Sequence, residues 1–546
     1  MSKIRLGILF ALFFLFGAGV LLRLFSLQIT QGKFYQAKSA ALVTPSGGFT
    51  RGNIFIQDKD GKLYIVAEAK RFLRLYAVPS KIPAGKEEEV AAFLEANFAI
   101  PSQAFTERLS KKDDIYEPLK EGISLDQRNG IEDQIKEFKA FLKLEEYSSR
   151  FYPYASLASH VIGFVGFEGA KKVGLYGIEK SYDEILARGD DDVVLTIDIS
   201  LQEQSEKMVK ELVERFKANE GSIVIMNPRD GSILAMASKP DFDINTFSEV
   251  KDISVFLNPV LQKVFEPGSI IKPITMAAGL ETGKITPQTS YVDAGFSQKG
   301  GYIIKNAGER VFGKRTMAEV LEFSINTGAI FVQEQVGQKD FLDTFERFGF
   351  GEKTGIDLPG ELGGDISNLD SGRAINYATA SFGQGISATP LQVISAVSAI
   401  ANEGKLMRPF LVQEILSSEG EQKTKPSMRR LVIRPGTAAQ LEAMMVEVVE
   451  KGYSKKARVG GYLVAGKTGT SQVPSAKGGY LDTTIHSFVG FAPAFDPAFI
   501  ILMKLDAPIG TRFASESIAP YFSRLAQYAL QYYGIFPEKS TSESSR

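Results

Sequence analysis

The 546 residues are enough for roughly three or four structural units at one to two hundred residues each. A hydrophobic content of 44%, a charged content of 23% and a net charge of −1 describe an ordinary globular composition and exclude a nucleic-acid binder that works through excess basic charge. The absence of cysteine excludes a disulfide framework, a thiolate metal site and a lipidated cysteine, and two histidines, His160 and His486, exclude a centre of three or more histidines.

Leu6 to Leu22 form an uncharged apolar run preceded by Lys3 and Arg5 and followed by Arg23. As a helix the run spans about 26 Å, the lower end of what crosses a bilayer, and Leu24 and Phe25 lengthen it if Arg23 snorkels. The expectation is a cytoplasmic segment at 1–5 and a transmembrane anchor at 6–28, because positive charges ahead of the run favour a cytoplasmic N-terminus. Everything after the anchor then lies outside the inner membrane. Gly17-Ala18-Gly19 offers the small residues of a cleavable signal peptide, but apolarity continues past them, which favours an uncleaved anchor.

From Ile29 to about Asp190 the chain is mixed and punctuated by Gly and Pro. Arg51 to Leu63 reads as a hairpin turning at Asp60-Gly61. Glu87 to Asn97 and Ile131 to Leu144 carry the spacing of amphipathic helices. Arg150-Phe151-Tyr152-Pro153, followed by His160-Val161-Ile162-Gly163, reads as the approach to another strand. His160 lies in an apolar run and is read as a packed structural residue, and any Ser-His-Asp triad would depend on it or on His486.

The character changes near Asp190. Val193 to Asp198 reads as a strand, Leu201 to Phe216 as a strongly periodic helix, and Ser222 to Asn227 and Ile233 to Ala237 as apolar strands joined by the turn Pro228-Arg229-Asp230-Gly231. In Phe265-Glu266-Pro267-Gly268-Ser269-Ile270-Ile271-Lys272-Pro273, Pro267-Gly268 marks a turn, and Ile270 to Leu280 reads as a buried helix closed by Gly283. Ser269 then falls in the first helical turn, with Lys272 three residues on along the same face. A serine hydroxyl is a poor nucleophile unless a base takes its proton, and a lysine serves only if burial or nearby positive charge keeps it neutral. The helix start adds N–H groups and the positive dipole end near a developing oxyanion. Ser-x-x-Lys arises roughly a couple of times by chance in a chain of this length, so its company decides its meaning.

Met317 to Phe323 is a second helical pattern leading into Ser324-Ile325-Asn326-Thr327-Gly328. Ser324 and Asn326 project to one side of an extended or turn segment, where they offer a hydroxyl proton relay and an amide for a substrate carbonyl. After Ser381 to Ala388, Thr389 caps a helix and Pro390 takes its first turn. Leu463 to Ser471 reads as a strand that Gly466 and Gly469 thin where another backbone approaches. Lys467 supplies a fixed cation, Thr468 and Thr470 supply hydroxyls, and the Thr470 N–H can face an oxyanion. Ser487 to Ala492 and Phe499 to Leu505 are apolar strands, with a last strand edge and a closing helix expected over Gly510 to Tyr533. His486 is read as a strand-packing or surface residue, and 536–546, rich in Ser and Glu, as a disordered tail.

Ser-x-x-Lys, Ser-x-Asn and Lys-Thr-Gly in that order resemble the signature of penicillin-binding proteins and serine β-lactamases, carried here by Ser269/Lys272, Ser324/Asn326 and Lys467/Thr468/Gly469. Pro267-Gly268 ahead of the first, and Gly383-Gln384-Gly385 and Thr389-Pro390-Leu391-Gln392 before the third, extend the match. With the N-terminal apolar run, Arg51-Gly52, Arg150 to Pro153 and Leu195 to Asp198, nearly the whole chain resembles a class B, monofunctional penicillin-binding protein. Ser487-Phe488-Val489-Gly490-Phe491-Ala492-Pro493 resembles the septal division type more than the elongation type. Ile325 stands where the family often has a second serine, at the variable middle position.

The resemblance implies an α+β chain. A penicillin-binding, serine β-lactamase-like transpeptidase domain at 191–535, an antiparallel sheet flanked by helices, would follow an elongated α+β pedestal, the dimerisation-like domain, at 29–190. It implies that Ser269 attacks the carbonyl between the two terminal D-alanines of a peptidoglycan stem peptide, with Lys272 as base and Ser324 and Lys467 relaying a proton to the leaving amine. Asn326 would orient the donor, Thr468 and Thr470 beside Gly469 would hold its carboxylate, and the N–H groups of Ser269 and Thr470 would form the oxyanion hole. Neither a metal nor an organic cofactor is required. The implied partners are donor and amine-acceptor stem peptides, covalently bound β-lactams, the inner membrane and a polytopic membrane glycan polymerase, with no nucleic acid. An elongation-type transpeptidase, a D,D-carboxypeptidase or β-lactamase using water, and a β-lactam sensor or inert scaffold are the alternatives. Against the β-lactamase, the sensor and the inert scaffold stand, in turn, the lack of a Glu-x-x-Leu-Asn segment, of several membrane spans, and of any gap among the motif residues.

Overall fold

The computed structural model describes residues 49–111, 113–475 and 478–538, so the expected anchor at 6–28 and residues 539–546 of the tail lie outside the described residues. Among the described residues no helix is long and apolar enough to cross a membrane. Packing divides the described chain into two α+β units, one built from 49–51, 68–151 and 166–173 and the other from 52–67, 152–165 and 174–538.

In the smaller unit the central strand is the portion of Leu63–Ala77 from Glu68 onward. It pairs antiparallel with Leu142–Phe151, from Glu68 opposite Phe151 to Ala77 opposite Leu142, and on its other side with Glu117–Ile123. Helix Glu87–Phe98 lays Val90, Leu94 and Phe98 against Leu73, Leu75 and Leu142 in a common core. The helix expected over 131–144 stops early: Arg128–Gln134 is helical, a single tight turn follows at Lys136–Phe138, and the strand begins at Leu142. Leu142-Lys143-Leu144-Glu145 alternates with period two, and pairing along a strand of matching length overrides the local helical spacing. His160, expected near a strand, sits in the short helix Ser159–Ile162 of the larger unit, its ring edge-on to Phe242 and its Nε2 2.9 Å from the Val255 carbonyl oxygen.

The larger unit is organised on a five-stranded antiparallel sheet. Helix α1 (Ile199–Phe216) is capped by the Asp198 carboxylate, which accepts from the Ser200 and Leu201 N–H groups. Strands β1 (Glu220–Met226) and β2 (Ile233–Lys239) follow, then helices α2 (Lys272–Glu281), α3 (Met317–Glu322), α4 (Asn326–Val336) and α5 (Pro390–Ile400). Strands β3 (Ala465–Pro474), β4 (Tyr480–Ala492) and β5 (Phe499–Asp506) and helix α6 (Ala519–Tyr532) complete it. The strand order is β3-β4-β5-β1-β2, so β3 is an edge.

Both faces of this sheet are covered, which is why its inner strands read as continuous apolar runs. On β5 and β1, Phe499, Ile501, Met503, Ile223 and Ile225 face α1 and α6, where Leu201, Met208, Phe522 and Leu525 pack. Ile500, Leu502, Val224 and Met226 face the opposite core with Ile270, Ile274 and Leu391. The strand edge expected over Gly510 to Phe522 is instead a loop and the short helix Ala514–Ser517, and Pro520 in the first turn of α6 starts the closing helix. The chain continues to Glu538, whose N–H donates to the Gly461 carbonyl at 2.9 Å.

Candidate active site

Pro273 has no N–H and is tolerated only in the first turn of an α-helix, so α2 starts at Lys272 and Ser269 is left in a 3₁₀ turn, Gly268–Ile271, ahead of it. This differs from the single helix expected from Ile270, and it tightens the pairing. The Lys272 N–H donates to the Ser269 carbonyl, and in 3₁₀ geometry positions i and i+3 eclipse, so Ser269 and Lys272 leave the turn on the same side. Gly268 opens the turn at φ +60°, a value that favours glycine. A Cβ on Gly383, itself at φ +82°, would lie 2.2 Å from the Gly268 carbonyl oxygen, so the Gly383-Gln384-Gly385 loop seats directly on the backbone before Ser269. The Gly268 N–H donates to the Gly383 carbonyl at 3.0 Å, and the Glu266 carboxylate accepts from the Gly385 N–H at 3.0 Å and the Tyr480 hydroxyl at 3.1 Å.

The same turn rests on β3. A Cβ at Gly469 would lie 2.4 Å from Ser487 Oγ, 2.9 Å from Ile270 Cγ2 and 3.1 Å from the Pro267 carbonyl oxygen. Gly469 therefore admits the turn, whereas Gly466 makes room for the Phe488 ring of the neighbouring strand at 2.6 Å. Gly469→Ala is expected to destabilise the protein by about 1–3 kcal/mol through overpacking, read as a lower urea midpoint. A midpoint equal to the parent's would mean that the turn is not seated there.

Ser324 links α3 to α4 at φ +56°, an uncommon conformation for a non-glycine residue. Its hydroxyl lies 3.2 Å from Lys272 Nζ and 3.0 Å from Lys467 Nζ. Lys272 Nζ also reaches the Ser324 carbonyl at 2.6 Å and Asn326 Oδ1 at 2.8 Å, and Lys467 Nζ reaches the Thr468 carbonyl at 3.0 Å. The Asn326 amide donates from Nδ2 to the Lys305 carbonyl at 3.2 Å, an acceptor-only group that fixes which end of the amide faces Lys272. Both lysines are buried, at 0% and 1% exposure. Burial, and after it the Lys467 charge, hold the Lys272 amine well below the ordinary lysine range, and burial brings Lys467 down to about 7.

A neutral amine carries two N–H donors and one lone pair. The Ser324 carbonyl and Asn326 Oδ1 take the two donors of Lys272, so its lone pair faces the Ser324 hydroxyl at 3.2 Å as a proton acceptor. Thr468 and Thr470 follow on β3 as half-exposed side chains, Thr468 Oγ1 3.4 Å from Ser454 Oγ and Thr470 Oγ1 accepting from the Ala514 N–H at 3.1 Å.

Sequence reasoning passed over the support beneath Asn326. Thr327 Oγ1 donates to Asp293 Oδ1 at 2.7 Å and its N–H to Asn306 Oδ1 at 3.1 Å. Burial opposes charge on Asp293, but hydrogen bonds from Thr327, Gly295, Phe312 and Asn306 outweigh it and hold the carboxyl below its ordinary value. The signal was Thr327 itself, adjacent to Asn326, but Asp293 lies 34 residues away and its partnership is tertiary. His486 is fully buried, its Nδ1 2.7 Å from Ser517 Oγ.

A serine one 3₁₀ turn ahead of a buried lysine, with a second buried lysine across a shared hydroxyl and an edge strand alongside, is an arrangement suited to serine acyl transfer. Residues 221–527 match the penicillin-binding protein transpeptidase domain and residues 49–215 the penicillin-binding protein dimerisation domain. The chain belongs to the penicillin-binding protein transpeptidase family, among its class B members, and is a serine-type enzyme. It is 32% identical over 505 residues to stage V sporulation protein D of Bacillus subtilis, covering 86% of this chain and 77% of that one. It is 26% identical over 559 residues to the probable peptidoglycan D,D-transpeptidase PenA of Neisseria meningitidis, covering 96% and 91%. Among solved structures, penicillin-binding protein 2X of Streptococcus thermophilus shares the fold at TM-score 0.73 and 22% identity, covering 91% of this chain and 82% of that one. Penicillin-binding protein 3 of Mycobacterium tuberculosis shares it at TM-score 0.68 and 24% identity, covering 90% and 98%.

Proposed function

We propose that this protein is a peptidoglycan D,D-transpeptidase that cross-links stem peptides through an acyl-enzyme on Ser269 and is a target of β-lactams. The observation that carries the reading is the Ser324 hydroxyl shared between two buried lysines, 3.2 and 3.0 Å away, beside the turn that joins Ser269 to Lys272. Neutral Lys272 takes the Ser269 proton as Oγ bonds to the carbonyl carbon between the two D-alanines of the donor. The N–H groups of Ser269 and Thr470 receive the oxyanion, a contribution of about a hundredfold or more per donor. Collapse of the tetrahedral adduct breaks the C–N bond, and the proton passes through Ser324 and Lys467 to the departing D-alanine amine. An acceptor amine then attacks the ester, returns the proton along the same route and releases Ser269. Thr468 and Thr470 hold the donor carboxylate and Asn326 orients the donor amide.

The septal division role, the anchor at 6–28 in the inner membrane with the catalytic unit outside it, and docking of 29–190 with a polytopic glycan polymerase complete the proposal. They rest on resemblance and on the apolar run ahead of the described residues.

The test supplies a donor stem peptide with and without an amine acceptor and follows both released D-alanine and product mass. Transpeptidation predicts cross-linked product in excess of hydrolysed donor when acceptor is present, and a β-lactam adduct that persists over many turnovers' time. Donor hydrolysis indifferent to acceptor, or rapid turnover of the β-lactam, would replace this reading with a carboxypeptidase or β-lactamase.

A further inference from the structure

Thr470 is held in an unusual way for a residue that must face a ligand. Its Oγ1 accepts a hydrogen bond from the Ala514 N–H at 3.1 Å. A hydroxyl that accepts from an N–H keeps its own proton as a donor, turned away from that N–H. The orientation of this one proton therefore depends on where the Ala514 backbone stands. Ala514 opens the short segment Ala514–Ser517, and the far end of that segment is tied down by a second contact. Ser517 Oγ lies 2.7 Å from His486 Nδ1, and His486 Nε2 lies 3.2 Å from Thr484 Oγ1.

His486 and Ser517 are both fully buried, at 0% exposure. His486 stands directly opposite Thr470 in the β3–β4 ladder, and opposed residues of an antiparallel pair share a face of the sheet. Burial lowers the His486 imidazole to about 4 against a hydrogen bond with the Arg512 backbone, so it is a neutral ring with one N–H and one lone pair, with a hydroxyl near each nitrogen. An apolar residue would fill this place without fixing anything. A buried ring that is satisfied on both nitrogens fixes the height and rotation of the segment that bonds Thr470.

We propose that His486 and Ser517 are positioning residues that pin the Ala514–Ser517 segment, so that the Ala514 N–H locks Thr470 with its hydroxyl proton directed at the carboxylate of an anionic acyl donor. The inference rests on the reading of Thr470 as a carboxylate contact. Neither residue touches the donor, and both act through Thr470.

The experiment uses the full chain with Ser517→Ala, Ser517→Thr and Thr470→Val, together with the double variant Ser517→Ala/Thr470→Val. The probes are a penicillin as the free acid and as its methyl ester, and deuterium exchange of the peptide containing Ala514. Expected for Ser517→Ala is a roughly tenfold or greater loss in the acylation rate constant with the free acid, little change with the ester, and faster exchange at Ala514. Ser517→Thr restores the parent rate, and Ser517→Ala adds nothing on the Thr470→Val background. Equal slowing of acid and ester, an undiminished effect on that background, or unchanged exchange at Ala514 each overturns the positioning role. Exchange is read without any chemistry at Ser269, so a wild type that is never acylated condemns the transpeptidase reading, while the Ala514 arm still decides whether the segment is pinned.

Discussion

Ser269→Ala is expected to abolish covalent labelling by a fluorescent penicillin and to lower D-alanine release from a donor peptide by at least about a thousandfold, the scale seen when a serine nucleophile is removed. The fold should not notice. Ser269 is half-buried in a 3₁₀ turn, and alanine is at least as comfortable in a helical segment, so the stability change should lie within about 0.5 kcal/mol. Labelling as strong as the parent's would move the nucleophile elsewhere, and the first residue to examine would be Ser324, whose hydroxyl lies 3.2 Å from Lys272 Nζ. Thermal melting in parallel distinguishes a missing nucleophile from a missing fold.

The three candidate catalytic segments were legible because each places its chemistry within four consecutive residues of the chain. Ser269 and Lys272 are joined by a single turn, Ser324 and Asn326 flank one buried isoleucine, and Lys467 to Thr470 alternate along one strand. Local spacing then carries over directly into geometry. Both glycines do admit another backbone, the Pro267 carbonyl at 3.1 Å from a Cβ on Gly469 and the Val489 carbonyl at 3.2 Å from one on Gly466, but the closest visitors are side chains, Ser487 Oγ and the Phe488 ring, which no local pattern announces. The supports were not legible at all. Asp293 and Asn306 under Thr327, Gly383 on Gly268, and Ser517 on His486 join positions tens to more than a hundred residues apart, and a single chain shows no periodicity for such pairs. The misread helix at 131–144 has the same origin, since Leu142–Phe151 becomes a strand only because Leu63–Ala77 supplies its partner.

Two lysines are buried on uncharged partners alone. Lys272 and Lys467 have no carboxylate among their hydrogen-bond partners, which are carbonyl, amide and hydroxyl oxygens. Such oxygens satisfy N–H groups without restoring an ammonium's ordinary pKa, so the site keeps its amines reactive at a cost in stability. The left-handed Ser324 belongs to the same arrangement. It places carbonyl and hydroxyl of one residue within reach of Lys272.

Lys272→Met should therefore lose activity and gain stability together. Removing the base is expected to slow acylation by about 10²–10⁴-fold, measured as the second-order rate constant with a fluorescent penicillin. A native pKa below the unfolded value means that, between the two, the unfolded chain holds a proton that the folded chain lacks, so stability rises with pH through that window. For Lys467 the window runs from about 7 to 10.5, and for Lys272 it opens on the low side of the same ordinary value. The variant should accordingly melt higher than the parent near neutral pH and below, with the gap closing toward pH 10.5. The parent's acylation rate should fall in acid as protonation removes the Lys272 lone pair, and should stop rising well short of the ordinary lysine value of 10.5. A rate that instead climbs tenfold per pH unit toward 10 would describe an ordinary lysine, and near-parental acylation by Lys272→Met would take the base role away from residue 272 altogether.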